Sequence, residues 1–377
     1  DISTADHQYT VSENDWAHWP DSRAANPETG LDGNGQRWLY GLVDRQLVVL
    51  DLTLPEQPRS GFLPIGGNTH PAQAGGWGSL SLLPLILSSG QHEPLLLLST
   101  ADPAASSHLL ILDGRSGHVL WQAGSAPGAQ SADPALTQDW QAAWRSVIAA
   151  DGALLAYGVD ERGAVWRLRI AAKPAQVGDI QVSLSRVADF SSTGALYSYA
   201  PSLTWLRDDQ GRRYPAIALA GAATTASAAS VMAFLDSQAA LITTADLALW
   251  STGAQPPVHA MGWRRTLATT EQIAQPPRWL NQQLLMASEV PVPTAASCPA
   301  WAWQARLYRW PWRAGSTQVA AEVNLPVRAN AVGDPLVNAE GQLRWSGVSA
   351  TDSQATEVVV PVGYRQRVRQ RQLRADD

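Results

Sequence analysis

The sequence predicts an all-β fold, a β-propeller, on three observations. Only 16% of the 377 residues are charged, while Gly numbers 29 and Pro 25. An average globular chain is about 25% charged. Low charge with many turn residues suits short buried strands joined by tight turns, not surface helices that carry charge along one face. The second observation is a recurring apolar run closed by a polar turn. The third is aromatic usage, with 17 Trp against 3 Phe.

The recurring run defines the elements. Gln46-Leu47-Val48-Val49-Leu50-Asp51 and His108-Leu109-Leu110-Ile111-Leu112-Asp113 come first. Ala164–Leu168, Val231–Asp236 and Arg306–Trp310 follow at a spacing of roughly 55–75 residues, the loose period of a repeat architecture. A second strand-like run precedes each: Pro94–Leu98, Ala153–Gly158 and Tyr214–Gly221. The run at 108–113 leads into the hairpin turn Asp113-Gly114-Arg115-Ser116-Gly117, continued by Val119-Leu120-Trp121, and the run at 164–168 follows the hairpin turn Asp160-Glu161-Arg162-Gly163. A four-stranded sheet cannot bury both its faces alone, and radial stacking of several sheets does so while leaving only short edges. Dividing the chain by the repeat predicts seven four-stranded antiparallel blades, with six or eight as alternatives. Residues 1–36 read as an irregular segment or a divergent first blade, 37–363 as the propeller, and 364–377 as a basic tail around Arg365, Arg367, Arg369 and Arg371. The Ala-rich stretch Ala222–Ala229 carries no charge and reads as a loop or extended segment.

Tryptophans at strand ends (Trp38, Trp121, Trp166, Trp250 and Trp345) are expected to pack between blades with the indole N–H bonded to a carbonyl. Trp301, Trp303, Trp310 and Trp312 lie within one short Pro-containing stretch and are the candidate contact surface.

Several chemistries find little support. The net charge of −6 gives no basic face for nucleic acid. No apolar run reaches the roughly 18 residues of a membrane span. Cys298 is the single cysteine, so no disulfide forms within the chain. The start at Asp1 is the start expected of a processed or truncated chain. There is no Gly-x-Ser-x-Gly nucleophile turn, and the seven His are scattered, most of them expected at turns or on the surface. Asp44, Asp51, Asp113, Asp160 and Asp236 recur at turn positions, where Asp bonds its own backbone. That reading is set against a glycosidase-type carboxylate pair. Glu28, Asp32, Gly33, Asn34 and Gly35 are short of ligands for calcium and read as a turn.

The order of motifs resembles the C-terminal propeller of the PilY family of type IV pilus proteins. The likeness runs through Trp144–Val147, Tyr157-Gly158-Val159-Asp160-Glu161-Arg162-Gly163-Ala164-Val165-Trp166-Arg167, Val187–Phe190, Tyr199–Leu203 and Arg213–Gly221. It extends to Val49–Pro55, Leu112–Leu120 and Val231–Asp236, so it covers residues 38–310. The family carries an Asp-rich calcium loop where this chain has Ser146 to Tyr157, with Asp151 the one carboxylate there. A single carboxylate does not fill a calcium shell. Asp151 and Asp160 are therefore expected as relics of a lost ion site, with no cofactor or metal. The resemblance implies a non-enzymatic, secreted, pilus-associated or periplasmic protein of a Gram-negative bacterium. Its partners would be minor pilins or other pilus-tip proteins, and a host or surface ligand. The alternatives are a periplasmic scaffold for envelope protein assembly and a quinone-dependent or carbohydrate-active propeller enzyme. One cysteine and no Asp-rich loop weigh against the quinone enzyme.

Overall fold

The computed structural model describes residues 77–100, 107–124, 142–237, 240–250, 261–280, 282–293 and 301–312, position 140, and shorter strand segments between 28 and 61, at 130–131, and between 321 and 360. These residues form strands and three short 3₁₀ turns. The expected all-β class is what the chain adopts.

Six small sheets follow one another along the chain among the described residues. Sheet 1 is β1 (Glu28–Leu31), β2 (Arg37–Val43), β3 (Gln46–Asp51) and β4 (Arg59–Gly61). Sheet 2 is β5 (Trp77–Ile86), β6 (His92–Thr100), β7 (Ser107–Asp113), β8 (Val119–Gly124) and β9 (Gln130–Ser131). Sheet 3 is β10 (Arg145–Ile148), β11 (Leu154–Val159), β12 (Ala164–Ile170) and β13 (Val182–Asp189), with β17 (Ile242–Thr243) at its edge. Sheet 4 is β14 (Ser202–Arg207), β15 (Arg213–Gly221), β16 (Ser230–Leu235) and β19 (Gly262–Thr266), with β18 (Ala248–Leu249) at its edge. Sheet 5 is β20 (Gln272–Leu280), β21 (Gln283–Pro293), β22 (Trp301–Pro311) and β23 (Ala321–Leu325). Sheet 6 is β24 (Leu336–Val337), β25 (Leu343–Val348) and β26 (Ala355–Val360).

Two features amend the expected four-stranded antiparallel unit. Strand β1 falls inside the segment 1–36 and pairs with β2, so that part of the segment belongs to the first sheet. Sheets 2, 3 and 4 each gain a fifth strand of two residues, and β9, β17 and β18 pair parallel, not antiparallel. These additions cover edge strands that would otherwise present open backbone groups.

The middle strands carry continuous apolar runs. Leu95, Leu96, Leu97 and Leu98 are all buried, as are Val231 to Leu235. Strict alternation is lost there because both faces of the sheet are covered. The covering partners are the neighbouring sheets in chain order. Tyr40, Leu42 and Leu47 of sheet 1 pack on Leu96, Leu98 and Leu110 of sheet 2. The opposite face of sheet 2, with Leu95, Leu97 and Ile111, packs on Trp166, Leu168 and Ile170 of sheet 3. Leu155, Tyr157 and Val165 of sheet 3 meet Ile217, Leu219 and Met232 of sheet 4. Ala218, Val231 and Trp263 of sheet 4 meet Leu284, Met286 and Trp310 of sheet 5. Neighbouring sheets draw together around their first strands: β1 approaches β5, β5 approaches β11, β10 approaches β14, and β20 approaches both β14 and β15.

The hairpins are set by Asp chemistry, as the sequence suggested. Asp160 Oδ1 accepts from the backbone N–H of Arg162 and Ala164, and the Gly163 N–H donates to the Asp160 carbonyl. The turn at Asp208 repeats this with Gln210, Arg212 and Gly211. Gly163 has φ +97° and Gly211 φ +80°, a backbone conformation that side chains with a Cβ resist. Residues 222–229 are a loop, as expected, in which Thr224 and Ser227 bond each other.

Candidate functional site

The four tryptophans proposed as a contact surface separate. Trp310 and Trp312 are buried between sheets 4 and 5, which corrects the expectation for these two. The reason is strand period: positions 310 and 312 share the face that carries Tyr308 toward sheet 4. Trp310 stacks on Tyr308 with ring centroids 4.6 Å apart, and the Arg265 guanidinium lies 5.1 Å above the Trp310 ring. Positions 301 and 303 fall on the alternate phase of β22, in register with Pro293 and Pro291. The side chains of Trp301 and Trp303, and Cys298, lie outside the described residues.

Packing between sheets is the role of Trp140, Trp144, Trp166, Trp250 and Trp263. Trp140 stacks on Trp144 at 5.1 Å, and Trp250 meets Trp263 edge-on at 5.0 Å. The expected carbonyl acceptors are missing in several cases. Among the described residues, the indole N–H groups of Trp144, Trp166, Trp263 and Trp312 are buried without a hydrogen-bond partner. Each orphan donor costs about 1–3 kcal/mol. His108 is an exception to the surface or turn positions expected of most histidines, since it is buried on β7.

Asp151 and Asp160 do not belong to one site. Asp151 sits in the hairpin before β11 and Asp160 in the hairpin after it, at opposite ends of a six-residue strand, roughly 20 Å apart by strand rise. Asp151 is exposed, accepts from the Ala153 N–H and pairs with Arg169. The backbone N–H of Ala153, with the Arg169 guanidinium, holds its carboxyl below the usual range. Asp160 is only 1% exposed. Burial pushes its carboxyl up to about 6, against the backbone N–H of Ala164 and the Trp166 indole that favour the ion. Among the described residues, Asp160 Oδ2 has no hydrogen-bond partner. Both carboxylates therefore act on their own hairpins, and no group of three metal-ligating side chains occurs among the described residues.

Asp236 departs from the turn role expected of it, because its carboxylate reaches across to sheet 3. Oδ2 accepts from Tyr157 Oη at 2.7 Å and from Arg167 Nη1 at 2.7 Å, and Arg167 also donates to Ser185 Oγ at 3.2 Å. Register explains the difference. Asp113 lies opposite Leu95 and Leu235 opposite Ala216, so Asp236 corresponds to Gly114, one position beyond Asp113. The backbone agrees: Gly114 N–H donates to the Pro94 carbonyl and Asp236 N–H to the Pro215 carbonyl. In both places a tyrosine from the second strand of the preceding sheet closes the contact, Tyr40 Oη to the Gly114 carbonyl at 3.1 Å and Tyr157 to Asp236. Burial and the neighbouring Asp236 carboxylate push the Tyr157 hydroxyl far above its usual range, so it remains a donor.

The same end of the sheet 3–sheet 4 interface is rich in arginine. Arg145, Tyr157, Arg167 and Ser185 form one cross-strand row of sheet 3, and Leu155, Arg169 and Ser183 the next. On sheet 4 the facing rows carry Trp205 opposite Pro215 and Arg207 opposite Arg213. This end of the interface offers a charged, hydrogen-bonding surface.

No family model and no curated sequence matches the chain. Among solved structures, the Pseudomonas aeruginosa PilY1 C-terminal domain aligns over 90% of this chain and 84% of its own length, at 15% identity and a TM-score of 0.55. The chain shares the fold of that PilY1 domain. An endo-arabinase from Bacteroides thetaiotaomicron aligns over 91% and 95% of the two chains at 10% identity and a TM-score of 0.33. A mannose phosphorylase from Leishmania mexicana aligns over 74% and 84% at 10% identity and a TM-score of 0.28. At those scores neither bears on the fold. The PilY1 likeness agrees with the motif order read from residues 38–310.

Proposed function

We propose that the chain is a β-propeller that acts by binding, without covalent chemistry, in a type IV pilus-associated role outside the cytoplasm. The observation that carries this reading is the PilY1-like fold across nine-tenths of the chain. Sheets stacked in chain order, drawn together at their first strands, support the propeller, because radial blades converge on their inner strands. Minor pilins or other pilus-tip proteins are the proposed partners, with a host or surface ligand as a further one, and the ribbon of Trp301 and Trp303 remains a proposed contact element. No cofactor is needed for this role.

Deleting the gene in its native bacterium and counting surface pili tests the reading. Loss of pili, restored by the intact gene, with minor pilins copurifying with the protein, is expected. Normal piliation and motility without the protein would reject it.

A further inference from the structure

We infer that the mouth between sheets 3 and 4 docks an acidic segment of a partner protein. This extends the reading that the chain works by binding, and names the chemistry of one partner. The mouth lies where β10 approaches β14. From sheet 3 it receives Arg145, Arg167 and Arg169, and from sheet 4 Trp205, Arg207 and Arg213. The face assignment follows from neighbours of the same strand phase: Val147 and Leu203 both pack on the cluster buried between these sheets.

The charge balance in the mouth favours an anionic visitor. Asp236 is committed to Arg167 and Tyr157, and Asp151 to Arg169. Asp208, in the hairpin joining β14 to β15, is turned to Arg212 at 2.7 Å and to its own turn, and Asp209 stands at the hairpin tip. Arg207 Nη1 donates to the Gly211 carbonyl at 2.8 Å, and Arg213 lies over the Trp205 ring at 5.3 Å. Both are exposed, and among the described residues neither is paired with a carboxylate. This is a local surplus of cation on a chain whose net charge is −6. The chain has one lysine, Lys173, so its cations are almost all guanidinium groups. Guanidinium presents a planar fork that fits a carboxylate through two bonds, and it is weakly hydrated, which favours it at protein contacts. A half-buried Trp beside arginines is also the composition of binding hot spots. The interdigitated aliphatic core beneath, with Ile217 and Leu219, fixes the mouth on rigid strands.

The test uses the full chain and a fluorescein-labelled hexaglutamate peptide, read by anisotropy, with Arg207→Glu, Arg213→Glu and Arg162→Glu variants and their Gln counterparts. Arg162 is exposed in the hairpin at the far end of β12 and serves as the control. The expected result is saturable binding that weakens with added salt, falls at least tenfold in Arg207→Glu and Arg213→Glu, falls less in the Gln variants, and is unchanged in Arg162→Glu. Unchanged circular dichroism in each variant separates lost binding from lost fold. The inference is overturned if the peptide does not bind, if Arg162→Glu loses as much as the mouth variants, or if heparin binds the mouth and the peptide does not. The piliation phenotype is independent of this measurement, so failure here and failure of the pilus reading are distinguishable.

Discussion

Asp236 accepts two hydrogen bonds from the neighbouring sheet, and removing it strands both donors. Taking one partner from a buried ion pair costs about 3–5 kcal/mol, and losing a single buried hydrogen bond about 1–2 kcal/mol. Asp236→Ala is therefore expected to destabilise far more than Tyr157→Phe in urea unfolding, and the double variant to lose less than the sum. Equal small effects would mean that the inter-sheet contact contributes little. Asp160 gives a pH prediction. Its carboxyl is raised to about 6 in the fold against about 3.9 in the unfolded chain, so the fold binds the extra proton between those values. The stabilisation is fully present below about pH 4 and is lost as pH rises through about 6, at most about 3 kcal/mol by linkage. Asp160→Asn keeps the Oδ1 acceptor for Arg162 and Ala164 and should flatten that slope in unfolding measured from pH 4 to 7. A slope unchanged in the variant would assign it to another group. At this scale the sequence was half legible. The turn role of Asp113 and Asp160 followed from Asp beside Gly. Asp236 carries the same Leu-Asp signature, and only its register against Pro215 reveals that it sits one place further along.

Within the elements, glycines mark where backbone and ring come too close for a Cβ. Gly163 holds φ +97° with the Tyr197 ring against it, and Gly158 lies under Trp144. Gly163→Ala meets both penalties, the left-handed backbone and the clash. It is expected to cost about 1–3 kcal/mol and to lower the thermal midpoint. Gly211 shares the turn but faces open space, so Gly211→Ala should cost less. A larger loss at Gly211 would contradict this account of the hairpins. Strands and hairpins were readable because apolar runs and Asp-Gly turns are local signals. The two-residue strands β9, β17 and β18 were not, since Gln130-Ser131, Ile242-Thr243 and Ala248-Leu249 have no period and become strands only by lying along an edge. The Trp310 and Trp312 burial was hidden for a related reason: four tryptophans close in sequence occupy two phases of one strand, and sheet 5 buries the phase that faces sheet 4.

For the whole molecule, what matters is that sheets 1 to 5 are each buried against the next in the chain. The continuous Leu and Val runs, the small residues Ala216, Ala218 and Ala220 where sheets 4 and 5 meet, and the tryptophan clusters are consequences of covering both faces. The repeat and its order were visible in the sequence because every sheet needs the same apolar strands. The strand count per sheet was not, because the added edge strands come from loops. A stack of this kind closes into a ring in a propeller, whereas an open stack would leave its two outer sheets bare. An experimental structure at side-chain resolution tests this most directly. It should show β1, β5, β10, β14 and β20 around a common axis, with Tyr157 bonded to Asp236 across adjacent blades. An open, non-circular stack, or helices in place of these strands, would contradict it.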